Sequence, residues 1–156
     1  MDAGLKDFEN KFKIEQLLIA THAGWRISLR PSQTTLGSLV VSCRSGTPRV
    51  ESLDEEAQAS LGVVLAVCDR VLRQTYDCEL VNYLALMLVD PIVHFHVIPR
   101  YSGPAERFGM KWTDADWPKP PALGDANPVS EAVLGAIASE LQPPFSAALG
   151  VPVALI

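Results

Sequence analysis

Cysteine is sparse in this chain and badly spaced for metal binding or cross-linking. Only Cys43, Cys68 and Cys78 occur, an odd number with no two in CxxC spacing. That pattern excludes a zinc ribbon or a disulfide framework and reads as buried thiols in a reducing cytosol. Long apolar runs are missing too: the longest, around Tyr83–Val89, is far too short to span a bilayer. Positive charge is not in excess. At a formal net charge of −5 the chain lacks the footprint of a nucleic-acid binder, although a local basic pocket for a small anion stays open. The N-terminal stretch MDAGLKDFENKFK is charged and has no apolar core, so no signal peptide is expected. No internal repeat or low-complexity segment is found.

What remains is an ordinary soluble composition, 48% hydrophobic and 20% charged over 156 residues, enough for one domain with a substantial core. Leu5, Phe8 and Phe12 recur at helical spacing and predict a short helix over Leu5–Phe12. Trp25–Leu29 alternates, with Trp25, Ile27 and Leu29 on one face, and reads as a half-buried strand that Pro31 ends. A second strand is expected over Leu36–Cys43. Ser52-Leu-Asp-Glu55 matches a capping box, and the apolar stripe from Leu53 through Leu61, Cys68 and Leu72 carries the helix it opens to about Tyr76. A third strand is expected over Leu80–Val89, a tight turn at Asp90-Pro91, and a fourth strand over Ile92–Ile98 that Pro99 stops.

Beyond Tyr101 lie eight of the 12 prolines and two of the three tryptophans, which reads as an irregular segment draped over the sheet. An amphipathic helix over Ser130–Leu141 is expected within it, and the tail from Pro143 carries no assignment. Strands, one long helix, then two more strands predict an α+β fold: an antiparallel sheet with the helix packed on one face.

Two of the three histidines stand one residue apart in "DPIVHFHVIPRY". On a strand, Ile92, His94, His96 and Ile98 share one face while Val93, Phe95 and Val97 share the other. The second set is apolar and belongs under the helix, so the imidazoles are expected to face solvent or a cleft from a rigid support. Plain surface histidines are one reading. A metal site is another, but a zinc site needs three or four ligands, and His22 is the only further histidine.

From its second histidine onward, the same stretch resembles the histidine triad (HIT) motif His-φ-His-φ-His-φ-φ, which often continues into Pro-Arg. His94 matches the catalytic middle position, His96 the last, and Ile92 stands where the first histidine belongs. "WRISLRPSQTTLGSLVV" and "VNYLALMLVDP" resemble the flanking strands of that fold, so the likeness covers about Trp25–Trp117, with bacterial diadenosine-polyphosphate-hydrolase-like proteins most similar.

The resemblance implies a single HIT-like domain over 1–156, with a core of about 22–118 and a C-terminal extension of about 119–156. It implies a nucleotide hydrolase or nucleotidyltransferase that cleaves a phosphoanhydride or phosphoramidate through a nucleotidyl-histidine. His94 would attack the α-phosphorus, its other ring nitrogen held by a backbone carbonyl, and His96 would donate to a phosphate oxygen. Asn82, Arg100, Arg26, Arg30 and Gln33 are the candidate nucleotide or phosphate ligands. Trp112 and Trp117 are expected to cover the core, and Asp114 and Asp116 to be solvated.

No cofactor or metal is implied, and the expected partners are a nucleotide substrate and a second copy of the chain in a cytoplasmic homodimer. Nucleic acid and membrane are not expected as partners. Two departures stand out: Ile92 for histidine, and Leu88 and Val89 where many such proteins have Gln-Ser or Gln-Thr. These leave open a nucleotide-binding protein without turnover, and a metal-dependent enzyme using His94 and His96 is the third reading.

Overall fold

The computed structural model describes residues 3–124 and 127–153. In chain order the elements are α1 (Ala3–Lys11), β1 (Leu18–His22), β2 (Trp25–Leu29), β3 (Leu39–Cys43), α2 (Glu55–Tyr76), β4 (Leu80–Leu84), β5 (His94–Arg100), β6 (Ala105–Arg107), β7 (Met110–Trp112) and α3 (Glu131–Leu149). The first five strands form one antiparallel sheet in the order β1-β2-β3-β5-β4, and β6 and β7 make a separate small hairpin. The fold is α+β with an antiparallel sheet, as the element order predicts.

Directly paired residues in a ladder point to the same face. The register Trp25↔Cys43, Ile27↔Val41 and Val41↔Phe95 therefore assembles one continuous apolar face, and Ser28↔Val40, Ser42↔His94 and Val40↔His96 assemble the other. Helix α2 roofs the apolar face, where Val64, Cys68 and Leu72 join Trp25, Ile27 and Val97 in one buried cluster. The Trp25 indole nitrogen donates to the Ala57 carbonyl of α2 at 2.9 Å. Gly24 sits so close to Ala57 that an added Cβ would come within 2.6 Å of the alanine side chain.

Several boundaries differ from expectation, each for a definable reason. The strand β1, which pairs with β2 at the sheet's edge, is absent from the sequence expectation; its residues Leu18-Ile-Ala-Thr-His22 do not alternate apolar and polar, so they show no strand period. The cap of α2 is Asp54, whose Oδ1 accepts from Ala57 N–H at 2.8 Å, and Ser52 instead closes a 3₁₀ turn over Val50–Ser52. Strand β4 ends at Leu84 and not Val89, so residues 85–93 form a loop in place of a tight Asp-Pro turn.

Pro99 does not stop β5, which runs to Arg100. The Pro99 carbonyl accepts from the Thr35 hydroxyl, beyond the end of β3, and the pairing of β3 with β5 starts only at Leu39↔Val97. A strand residue's N–H and C=O point the same way, so the missing donor costs no ladder bond. Helix α3 likewise passes through Pro143 and Pro144 to Leu149. Leu141, Phe145 and Leu149 are buried at four-residue spacing, and that packing outweighs the lost backbone donors.

Candidate active site

His94 and His96 open strand β5, on the face away from α2. That face is not open to solvent. His94 is 2% exposed and His96 6%, because α1 lies across them. The Phe8 ring stands 4.9 Å from the His94 ring, and the Phe12 ring 5.8 Å from each imidazole. The two imidazoles meet edge to face at 4.8 Å.

The same face of the sheet holds α1 in place. Arg26 on β2 donates to Glu9 at 2.6 Å and to Glu15 at 3.0 Å, and the Ser28 hydroxyl donates to the Ile14 carbonyl at 2.9 Å. Lys11 at the helix end pairs with Asp90 of the 85–93 loop at 2.7 Å.

A hydrogen bond fixes the proton on the His94 ring, and burial argues for its place on His96. His94 Nδ1 lies 2.5 Å from the Ile92 carbonyl, which can only accept, so Nδ1 is protonated and the lone pair sits on Nε2. His96 Nδ1 is buried with no hydrogen-bond partner among the described residues. A proton there would be a stranded buried donor, so it belongs on Nε2. The neighbouring rings thus adopt opposite tautomers, one offering a nucleophilic nitrogen and the other an N–H.

Burial disfavours the charged form of both. It holds His94 below the ordinary histidine range, against a raising contribution from the Ile92 carbonyl. It pushes His96 down to about 3, with the His94 ring adding to the effect. Both imidazoles are neutral at pH 7.

The rings border a cleft of about 410 Å³ lined also by Phe12, Arg30, Asp90 and the loop residues Leu86–Val89. Of the seven residues the sequence singles out, His94, His96 and Arg30 come together there. Arg30 is buried; its guanidinium donates to the Ser32 carbonyl, the Thr34 hydroxyl and the Leu123 carbonyl, each at 2.9 Å.

The other four residues do structural work away from the cleft. Arg26 ties α1 to the sheet. Gln33 staples its own loop, donating to the Arg30 and Ser38 carbonyls and accepting from Gly37 N–H; Gly37 has φ 85°, a conformation that suits glycine. Arg100 is committed to Asp114, with which it makes two bonds at 2.7 and 3.2 Å, and to the Asn82 side chain and the Lys119 carbonyl. Asp114 is therefore buried and paired, not solvated. Trp112 is buried as expected, and Arg100 lies 5.8 Å from the Trp117 ring centre.

Ile92 is also placed differently from expectation: it precedes the strand, and its main-chain carbonyl serves the site. Phe8, Phe12, Lys11 and Asp90 were not anticipated at all. The spacing of Phe8 and Phe12 showed a helix but not what it would cover. Among the described residues no three His, Cys, Asp or Glu side chains gather to hold a metal ion.

This architecture recurs in solved structures. A histidine triad protein from Marinobacter aquaeolei VT8 superposes with a TM-score of 0.67 at 21% identity, over 86% of this chain and 93% of that one. One from Bradyrhizobium japonicum gives 0.64 at 19%, over 96% of each chain. A protein described as a hypothetical histidine triad nucleotide-binding protein from Sulfolobus tokodaii gives 0.63 at 13%, over 84% of each. No protein-family model matches the sequence, and no curated protein matches it. The structural neighbours are histidine triad proteins, and the fold is theirs.

Proposed function

We propose that this protein is a nucleotide hydrolase or nucleotidyltransferase that works through a nucleotidyl-His94 intermediate. The observation that carries the reading is the Ile92 carbonyl on His94 Nδ1, which leaves a neutral Nε2 at the wall of a cleft. A neutral imidazole with a fixed tautomer is a competent nucleophile. Nε2 attacks the α-phosphorus of a phosphoanhydride or phosphoramidate and the leaving group departs. Water then cleaves the P–N bond to release the nucleoside monophosphate.

His96, with its proton on Nε2, donates to a phosphate oxygen as negative charge grows there. Arg30 supplies the fixed cation of the cleft, aligned by its three acceptors before substrate arrives. The test is acid-quenched labelling with a nucleotide radiolabelled at the α-phosphate. A phosphoramidate-type label should appear on wild type and be absent from His94→Gln. Turnover that proceeds with no label refutes the assignment.

One observation favours a second reading, a binding protein without turnover. The loop beside the histidines brings Leu88 and Val89 to the cleft, and neither side chain can donate to a phosphate. Tight nucleotide binding with neither label nor release would establish it.

We also propose that two copies pair through β4, a sheet-edge strand on which Leu80 and Tyr83 are exposed. A sedimentation mass of one chain at micromolar concentration would refute this.

A further inference from the structure

We infer that α1 is a hinged cover that must lift from His94 and His96 before a reagent reaches their ring nitrogens, with the Arg26–Glu9 ion pair as its latch. Its bearing on turnover rests on the nucleotidyl-transfer reading; its control of access stands on geometry alone.

The need for movement comes from burial. Attack on phosphorus requires the two atoms to come within about 3–3.5 Å, with the leaving group on the far side. A ring only 2% exposed beneath Phe8 and Phe12 leaves no room for that approach.

The cover is built to move as a piece. At nine residues α1 is too short to hold its helix without outside contacts. Those contacts are the two phenylalanine rings on the imidazoles, Glu9 on Arg26 at 2.6 Å and Lys11 on Asp90 at 2.7 Å. Beyond the helix the chain is fixed: Ile14 is fully buried, and its carbonyl accepts from the Ser28 hydroxyl. Lys13 stands between the two parts with φ 49°. A residue at the end of an element, already outside helical geometry, is where a backbone absorbs the rotation of a swinging segment. Glu15 lies past this pivot and also meets Arg26, at 3.0 Å, so the guanidinium keeps a partner when Glu9 leaves.

The closed state also carries a cost that opening relieves. Arg26, Ser42 and His94 form one row across the sheet on the covered face. Arg26 Nε, Ser42 Oγ and His96 Nδ1 are buried there with no hydrogen-bond partner among the described residues. Buried polar atoms left unpaired are unfavourable, and water admitted by a lifted α1 would pair all three. Apolar packing and the latch hold the cover down against that penalty.

The experiment measures carbethoxylation of His94 and His96 by diethyl pyrocarbonate at pH 7, where both rings are in the neutral form that the reagent attacks. Peptide mass spectrometry follows each residue, with half-buried His22 as internal reference, on wild type, Glu9→Gln and Trp25→Ala. Wild type should react more slowly at His94 and His96 than at His22. Glu9→Gln should speed both by roughly fivefold or more, the share of a charge-assisted hydrogen bond that a neutral amide does not replace. It should quicken the acid-quenched nucleotide label on His94 by a similar factor. Trp25→Ala weakens the fold from the opposite face and should leave both histidines as protected as in wild type. Unchanged rates in Glu9→Gln overturn the inference, as does equal acceleration by Trp25→Ala, which would mean that only whole-chain unfolding gives access. A nucleotide label that forms at the wild-type rate while carbethoxylation quickens also overturns it, because phosphorus then reaches Nε2 beneath a closed cover. Faster carbethoxylation with no nucleotide label on either protein keeps the cover and removes the nucleotidyl-transfer reading.

Discussion

On one face of the sheet, Trp25, Ile27, Leu29, Val41 and Val97 meet Val64, Cys68 and Leu72 of α2 in a cluster made of apolar side chains. On the other, Arg26, Ser28, Arg30 and Arg100 hold α1, the residues that follow it and the segment around Asp114–Leu123 by hydrogen bonds and ion pairs, and His94 and His96 meet the rings of Phe8 and Phe12. The first cover is a helix of 22 residues, the second one of nine. The comparison teaches how labour is divided across one sheet. Apolar packing fixes the backbone of β5 from behind, so its front can carry two desolvated imidazoles under a small roof. Substitutions on the α2 face should therefore move stability, and those on the histidine face should move chemistry.

The strongest test of that division is His94→Gln, which keeps most of the side-chain volume and removes the proposed nucleophile. It should abolish the covalent label and lower kcat by on the order of 10⁴-fold or more, while urea unfolding stays cooperative. Next comes Trp25→Ala on the opposite face. The indole is fully buried and holds Ala57; its loss should cost about 3–5 kcal/mol in urea unfolding with kcat/KM per folded molecule preserved. A large loss of activity in the folded fraction would dissolve the distinction between the faces.

The third test is acid. Both histidines are depressed by burial, so the folded state binds fewer protons than the unfolded one below pH 6.5. Their stabilisation is complete above pH 6.5 and is lost as pH falls from there toward about 3. His96 alone should remove roughly 2 kcal/mol between pH 8 and pH 5, read from urea midpoints in wild type against His96→Gln. A variant as acid-sensitive as wild type would contradict the assignment.

Smaller is Phe12→Ala, which lets water reach both rings. It should raise the pH at which kcat/KM begins to fall on the acid side, because the desolvation that keeps His94 neutral is relieved. An unmoved acid limb would mean that α1 does not control the imidazoles. Smallest is Lys11→Gln. Its partner Asp90 is mostly covered but Lys11 is half exposed, so the change should cost about 1 kcal/mol or less in stability.

The sequence made much of this legible where the signal is local. Trp25–Leu29 alternates because one side faces oil, and its observed bounds match. The histidine pair, its strand and the likeness to a known fold were legible in a dozen residues. What was hidden depends on contacts between distant segments. Arg100 reads as a free phosphate ligand until the chain folds back to bring Asp114 onto it. Leu5–Phe12 reads as a helix, but nothing local says that it roofs His94. Pro99 reads as a stop and the tail from Pro143 as unassignable, because a rule about lost donors cannot see where a donor would have pointed or what packing compensates. Asn82, Arg26 and Gln33 are polar residues that the sequence offers as ligands, and only the hydrogen-bond pattern shows that the fold uses them itself.

The acceptor that fixes the His94 tautomer belongs to the main chain of residue 92, not to a side chain. Every amino acid carries that carbonyl, so the arrangement tolerates mutation: a genetic change at position 92 reshapes the surroundings of His94 without deleting its partner. Isoleucine in place of histidine there is a neutral change as far as proton placement is concerned. What would disturb it is a shift of the backbone leading into β5, so deletions or insertions in the 85–93 loop should be far less tolerated than substitutions along it.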